Sequence, residues 1–144
     1  AVRIPGIGVE RRFKLPKDVN VAYIDTDSYL GGVLNFEAEQ SKRNLKIGYY
    51  DAMRLLYGLK GREYYIDKSM SEQQALDWLT ENYRPEGMSL RQFYEKELPR
   101  LSRKLDSEKD DYYQLFLNCL EYSAKERGIE AMAIYTDKQL AELI

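Results

Sequence analysis

Three apolar runs in the chain each stop on an aspartate: Val21-Ala22-Tyr23-Ile24-Asp25, Tyr64-Tyr65-Ile66-Asp67 and Ala131-Met132-Ala133-Ile134-Tyr135-Thr136-Asp137. Short β-rich runs separated by stretches with helical spacing predict strands of a parallel sheet. Between the first two runs, Ala52, Leu55, Leu56 and Leu59 recur at helical spacing and Gly61 stands where a stop is expected. Residues 33–46 are mixed, and fit a short helix or a loop. Ser69 followed by Glu72 reads as a capping box that opens a helix burying Leu76, Leu79 and Tyr83, ended by Pro85-Glu86-Gly87. Ser89 and Gln92 repeat that start signal before a stripe of Leu90, Phe93, Tyr94, Leu98, Leu101 and Leu105, kinked or interrupted at Pro99. A further helix is expected from about Lys109 to Arg127, with Phe116, Leu117, Leu120 and Ala124 inward and Gly128 as its stop.

The order is therefore strand, helix, strand, three helices, strand, helix. This predicts an α/β fold with a small, mostly parallel sheet and helices in excess. Residues 1–18 carry Pro5, Gly6, Gly8 and Pro16 among basic side chains and read as an N-terminal arm, leaving 19–144 as one α/β domain. A chain of 144 residues is long enough to bury a core without disulfides. The one cysteine, Cys119, falls within a helical apolar pattern and reads as a small core residue of a reducing compartment. With no continuous apolar stretch of membrane-spanning length and no charged-then-apolar leader, a soluble cytoplasmic protein without membrane contact is expected.

Composition narrows the chemistry. Histidine is absent, which removes imidazole bases, serine and cysteine triads and histidine-ligated zinc. Carboxylate chemistry survives. Ligands of parallel sheets bind at the carboxyl ends of the strands, and Asp25-Thr26-Asp27-Ser28 places two carboxylates and two hydroxyls at one such end. That set suits a hard cation, with Asp137 as a further ligand and Glu37 and Glu39 within sequence reach. An aspartate after a strand also caps a helix or makes an Asx turn. Capping is the expectation for Asp67, both roles stand for Asp137, and a cation is expected at Asp25 with Asp27. Asp111, beside Asp110 at a helix start, has helix capping as a strong competing role.

A net charge of −2 argues against coating nucleic acid through bulk positive charge, although local clusters exist at Arg11, Arg12 and Lys14, at Lys42, Arg43 and Lys46, and at Arg100, Arg103 and Lys104. Such clusters usually form solvated faces. The 13 tyrosines suit half-buried core edges ahead of base stacking.

The segment from Val21 to Leu30 resembles the first strand of PIN and NYN ribonuclease domains, where an apolar strand ends in an acid followed by a small polar residue and aliphatics. Arg62 to Asp67 is similar to the second strand of NYN members, and Ala124 to Leu140 resembles the late PIN segment. The resemblance implies a PIN/NYN-like or related Rossmann-like three-layer arrangement. It also implies a magnesium- or manganese-dependent nuclease cleaving RNA, ahead of DNA. Asp25, Asp111 and Asp137 would bind metal, Asp27 would act with Asp25 in catalysis, and Ser28, Arg11, Arg12 and Lys14 would contact substrate. The Asp-Thr-Asp-Ser string also resembles the palm motif of family B DNA polymerases, and Asp25 with Asp27 resembles the strand end of haloacid-dehalogenase-type phosphatases. The alternative from another class is a non-enzymatic interaction protein whose long amphipathic helices between residues 71 and 127 present a surface to a protein partner or to another copy of itself, with the aspartates only capping turns.

Overall fold

The computed structural model describes residues 16–24, 30, 37–108 and 111–144. The chain divides into two compact units, Ala1–Leu59 and Lys60–Ile144.

In the first unit the dominant element is α1, Ala38–Tyr57. It stops at Gly58, whose φ of 66° closes the helix with its N–H on the Arg54 carbonyl. Gly58, not the predicted Gly61, is the stop, because the left-handed turn is reached three residues earlier. The predicted first strand is also corrected: Val21, Ala22 and Tyr23 carry no regular structure and Ile24 makes one isolated bridge. The side-chain amides of Gln40 and Asn44 both donate to the Leu30 carbonyl, at 3.3 and 2.8 Å. Gln40, Asn44, Ile47 and Asp51 share one side of the helix at 3.6 residues per turn, and Ile47 and Asp51 are its buried residues.

The second unit holds the sheet and the core. β1, Tyr65–Asp67, and β2, Ile134–Thr136, pair in parallel with Tyr65 opposite Ile134, Ile66 opposite Tyr135 and Asp67 opposite Thr136. Among the described residues the sheet has these two strands, so the α/β expectation holds as a helix-rich unit with a small parallel sheet. Between the strands come α2 (Glu72–Tyr83), α3 (Leu90–Gln92), a π-helical turn (Phe93–Glu97), α4 (Leu98–Lys104) and α5 (Tyr112–Glu126), and α6 (Asp137–Leu143) follows β2. A capping box opens α2, but it is Ser71 with Gln74, two residues after the predicted pair. The Ser89 and Gln92 box forms as expected. Pro99 lacks the N–H that would bond the Glu95 carbonyl, and the widened turn ahead of it lets the helix continue instead of breaking.

Burial follows the helical periods. Ala75 and Leu79 of α2 and Leu115, Phe116, Leu117, Leu120 and Ala124 of α5 are buried with Ile66, Phe93 and Leu140. Phe116 meets the Trp78 ring edge-on at 5.2 Å and the Tyr113 ring at 5.9 Å. Cys119 lies inside this core, where burial pushes its thiol up to about 12. Gly128, with φ of 67°, ends α5 as read from the sequence. Among the described residues no helix is long and apolar enough to cross a membrane.

Candidate functional site

The carboxyl ends of β1 and β2 lie side by side, so the segment after Asp67 and the start of α6 meet at one edge of the sheet. Thr136 caps α6, its hydroxyl accepting from the Gln139 N–H while the Gln139 side chain accepts from the Thr136 N–H. Asp137 is therefore the first helical residue, where a negative charge is favoured by the helix dipole. It is fully buried. Its Oδ2 accepts from the Tyr113 hydroxyl at 2.7 Å and the Met70 N–H at 3.0 Å, and its Oδ1 from the Lys138 N–H at 2.8 Å. The Ser69 hydroxyl donates to Oδ1, and the Ser69 N–H is shared between both oxygens at 3.1 Å.

This arrangement decides what Asp137 can do chemically. Burial alone would raise its pKa, but the bonds from Ser69, Met70 and Tyr113 outweigh that penalty and hold the carboxyl below the usual carboxylate range. A carboxylate offers about four lone-pair sites, and here both oxygens face protein donors. A divalent cation would have to displace the Tyr113 or Ser69 hydroxyl and would meet N–H dipoles aimed the wrong way. The Asp137 carboxylate does not fit a metal ligand in this geometry. It joins the entry to α2, the first turn of α5 and the start of α6.

Beside it runs an open groove of about 600 Å³ whose lining includes Lys60, Lys68, Glu72, Glu108, Asp111 and Tyr113. The Lys68 ammonium lies 4.1 Å from the centre of the Tyr113 ring, on the face of the tyrosine whose hydroxyl holds Asp137. Asp111 sits at the rim as the N-cap of α5, Oδ1 accepting from the Gln114 N–H at 2.8 Å. The capping role weighed for Asp111 is thus the one its side chain performs. Among the described residues no three Cys, Asp or Glu side chains are grouped so as to hold a metal ion. Asp25, Asp27, Ser28, Arg11, Arg12 and Lys14 lie outside the described residues, and so does the separation of Asp25 from Asp137.

Two features were not singled out from the sequence. Glu121 is a buried carboxylate on the inward face of α5, and its Oε1 accepts the backbone N–H groups of Arg62, Glu63 and Tyr64 at 2.7, 3.0 and 2.9 Å. Burial raises its pKa, against the lowering effect of those three bonds. The signal was present: Glu121 stands four residues after Leu117 and three before Ala124, an acid where the helical period demands an inward side chain. Gly61, read as a helix stop, instead lets the loop approach, with φ of 88° and room for no side chain: a Cβ would sit 2.6 Å from the Glu121 Oε1.

The second is the outward face of α1. Leu45, Tyr49 and Leu56 are 75, 59 and 76% exposed. With Ala52 they fall within about 60° of arc at 3.6 residues per turn, on the side opposite Gln40, Asn44, Ile47 and Asp51. Leu55 and Leu56, two of the apolar residues read at helical spacing, are exposed, while Ile47 and Asp51 take the buried positions. Comparisons with protein-family models, with curated proteins and with solved structures give no match to this chain.

Proposed function

We propose that this chain is a non-catalytic interaction module that docks a protein surface on the outward face of α1. The observation that carries this reading is the exposed stripe of Leu45, Tyr49 and Leu56, with Lys42 and Lys46 exposed beside it. Two leucines held three-quarters in water on an ordered helix lose the favourable burial of roughly 2 kcal/mol each that a covering surface would return. Apolar stripes of this kind on a helix, flanked by charge, suit recognition of another protein. The occupied carboxylate of Asp137 and the capping role of Asp111 support the same reading, since two of the acids needed for a strand-end cation have other partners.

One sequence feature favours a second reading. Asp25-Thr26-Asp27-Ser28 retains the acids and hydroxyls of a magnesium or manganese site for phosphodiester cleavage, with Asp25 and Asp27 as ligands and Asp137 outside it. Labelled RNA and DNA oligonucleotides incubated with the protein and either cation separate the two. The docking reading expects no cleavage, together with fluorescence of the apolar dye bis-ANS that a Leu45→Glu, Leu56→Glu double variant abolishes without loss of helicity. Cleavage that disappears in Asp25→Asn would replace it with the phosphoryl-transfer reading.

A further inference from the structure

We infer that the outer face of α4, continued by Tyr122 of α5, binds the phosphate backbone of single-stranded nucleic acid. The site lies wholly within the unit Lys60–Ile144 and is independent of the stripe on α1. Residues 96–105 carry Lys96, Arg100, Arg103 and Lys104 against one acid, Glu97, in a chain of net charge −2. At 3.6 residues per turn Arg100, Arg103 and Lys104 fall within about 100° of arc, on the side opposite the buried Leu98 and Ser102, and Lys96 precedes Arg100 by about one turn. All four are exposed.

The contacts these cations make within the chain leave them available to an anion. Arg103 donates Nε to the Pro99 carbonyl at 3.2 Å, which orients the guanidinium, and its terminal N–H groups make no bond among the described residues. A guanidinium held by one edge presents a planar fork that matches a phosphate. Among the described residues Arg100 is the one of the four with an acid in reach, Glu97 at 3.8 Å, and with the guanidinium 76% exposed water weakens that pair. Basic residues in the last turn of a helix also favour its dipole, which accounts for Arg103 and Lys104 but not for Lys96 and Arg100.

Tyr122 selects a nucleic-acid strand over other polyanions. Its side chain is 50% exposed and its ring centre lies 5.7 Å from the Lys104 ammonium, so an aromatic face stands at the end of the row of cations. From Lys96 to Lys104 the row rises roughly 12 Å, the length of three to four phosphates at about 3.4 Å along one strand. A backbone laid along it brings a base to Tyr122, where stacking demands no particular base. An acidic peptide supplies the charges without rings to stack, and the bases of a duplex are already stacked on one another. Asp106 after α4 and Glu126, one turn past Tyr122, are exposed acids that bound the surface.

The test is fluorescence anisotropy of a labelled oligothymidylate of about 12 nucleotides with the whole chain, in EDTA so that no cation site contributes, and with circular dichroism to confirm the helicity of each variant. Binding is expected in the micromolar range at about 50 mM salt and about fiftyfold weaker at about 200 mM, as four phosphate contacts on a single strand require. Arg100→Gln, Arg103→Gln should weaken it at least tenfold at the lower salt and cut the salt slope by about half, because two of the four contacts are gone. Tyr122→Ala should weaken it at least fivefold and leave the slope unchanged, because stacking releases no counterions. Polyglutamate and phosphatidylserine vesicles should compete at least tenfold less well than unlabelled oligothymidylate. No binding at about 50 mM salt, or binding indifferent to the paired arginine change, would overturn the inference. Equal competition by polyglutamate or by the vesicles, or a Tyr122→Ala variant that binds like the wild type, would overturn the assignment to single-stranded nucleic acid.

Discussion

The hydroxyl of Tyr113 donates to Oδ2 of Asp137 across 2.7 Å, joining the first turn of α5 to the first residue of α6 at the end of the parallel strands. The same tyrosine ring lies under the Lys68 ammonium at the groove. One side chain therefore has a buried end that holds the fold and a face that meets solvent. Tyr113→Phe is expected to keep the ring contact and delete the bond to a buried charge. A loss of about 1.5 to 3 kcal/mol in urea unfolding is the predicted cost. An unchanged midpoint would show that the remaining donors satisfy Asp137 unaided.

Acid dependence follows from the direction of the Asp137 shift. Its pKa is lower folded than unfolded, so the stability it contributes is complete above the ordinary aspartate value near 3.8 and is lost as pH falls through the folded value. Thermal unfolding from pH 5 down to pH 2 should show a steep loss of stability that Asp137→Ala lacks, because the variant has already lost it at every pH. Parallel curves for the two proteins would contradict this.

Glu121 acts with the opposite sign. Its pKa is higher folded than unfolded, so the folded state holds the proton more tightly and stability falls as pH rises from about 4.5 through the folded value. Glu121→Gln keeps an oxygen to accept from Arg62, Glu63 and Tyr64 and removes the buried charge. The variant is expected to match or exceed the wild type at pH 7 and to lose the fall in stability above pH 4.5. A variant destabilised by more than about 2 kcal/mol at pH 7 would show instead that the charge on those three N–H bonds outweighs its desolvation.

Gly61→Ala tests the loop that Glu121 holds. The substitution meets a left-handed backbone and two oxygens, those of Glu121 and Tyr64, each 2.6 Å from the new carbon. A penalty of about 2 to 4 kcal/mol is expected from the strained φ and the displaced carboxylate together. Rescue by Glu121→Ala in the same chain would identify the carboxylate as the group that the methyl displaces.

What the sequence revealed depended on whether a signal had one possible partner. Ser89 with Gln92, Gly128 and the inward face of α5 were legible because each local pattern admitted one geometry. Ser69 reads as the helix start, but Asp137 occupies its hydroxyl from 68 positions away, and Ser71 caps α2 instead. No local pattern carries that information. The leucines of α1 identified a helix through their spacing, but which of its faces is buried, the one holding Ile47 and Asp51, is not in that spacing. The aspartate after the last strand reads as a cation ligand or a cap, and sequence spacing could not show that its charge is met by serine, tyrosine and backbone donors.

Whether Asp137 anchors the fold or binds a metal is tested most directly by thermal unfolding of wild type and Asp137→Asn, each with and without millimolar manganese at pH 7. If Asp137 is the anchor described above, the amide presents N–H groups to donors and the variant melts lower by roughly 10 °C or more, the shift that about 2 kcal/mol produces in a unit of this size. That difference should be the same with and without the cation. A variant that melts like the wild type without manganese, while losing a manganese-induced rise that the wild type shows, would make Asp137 a metal ligand and contradict the anchor.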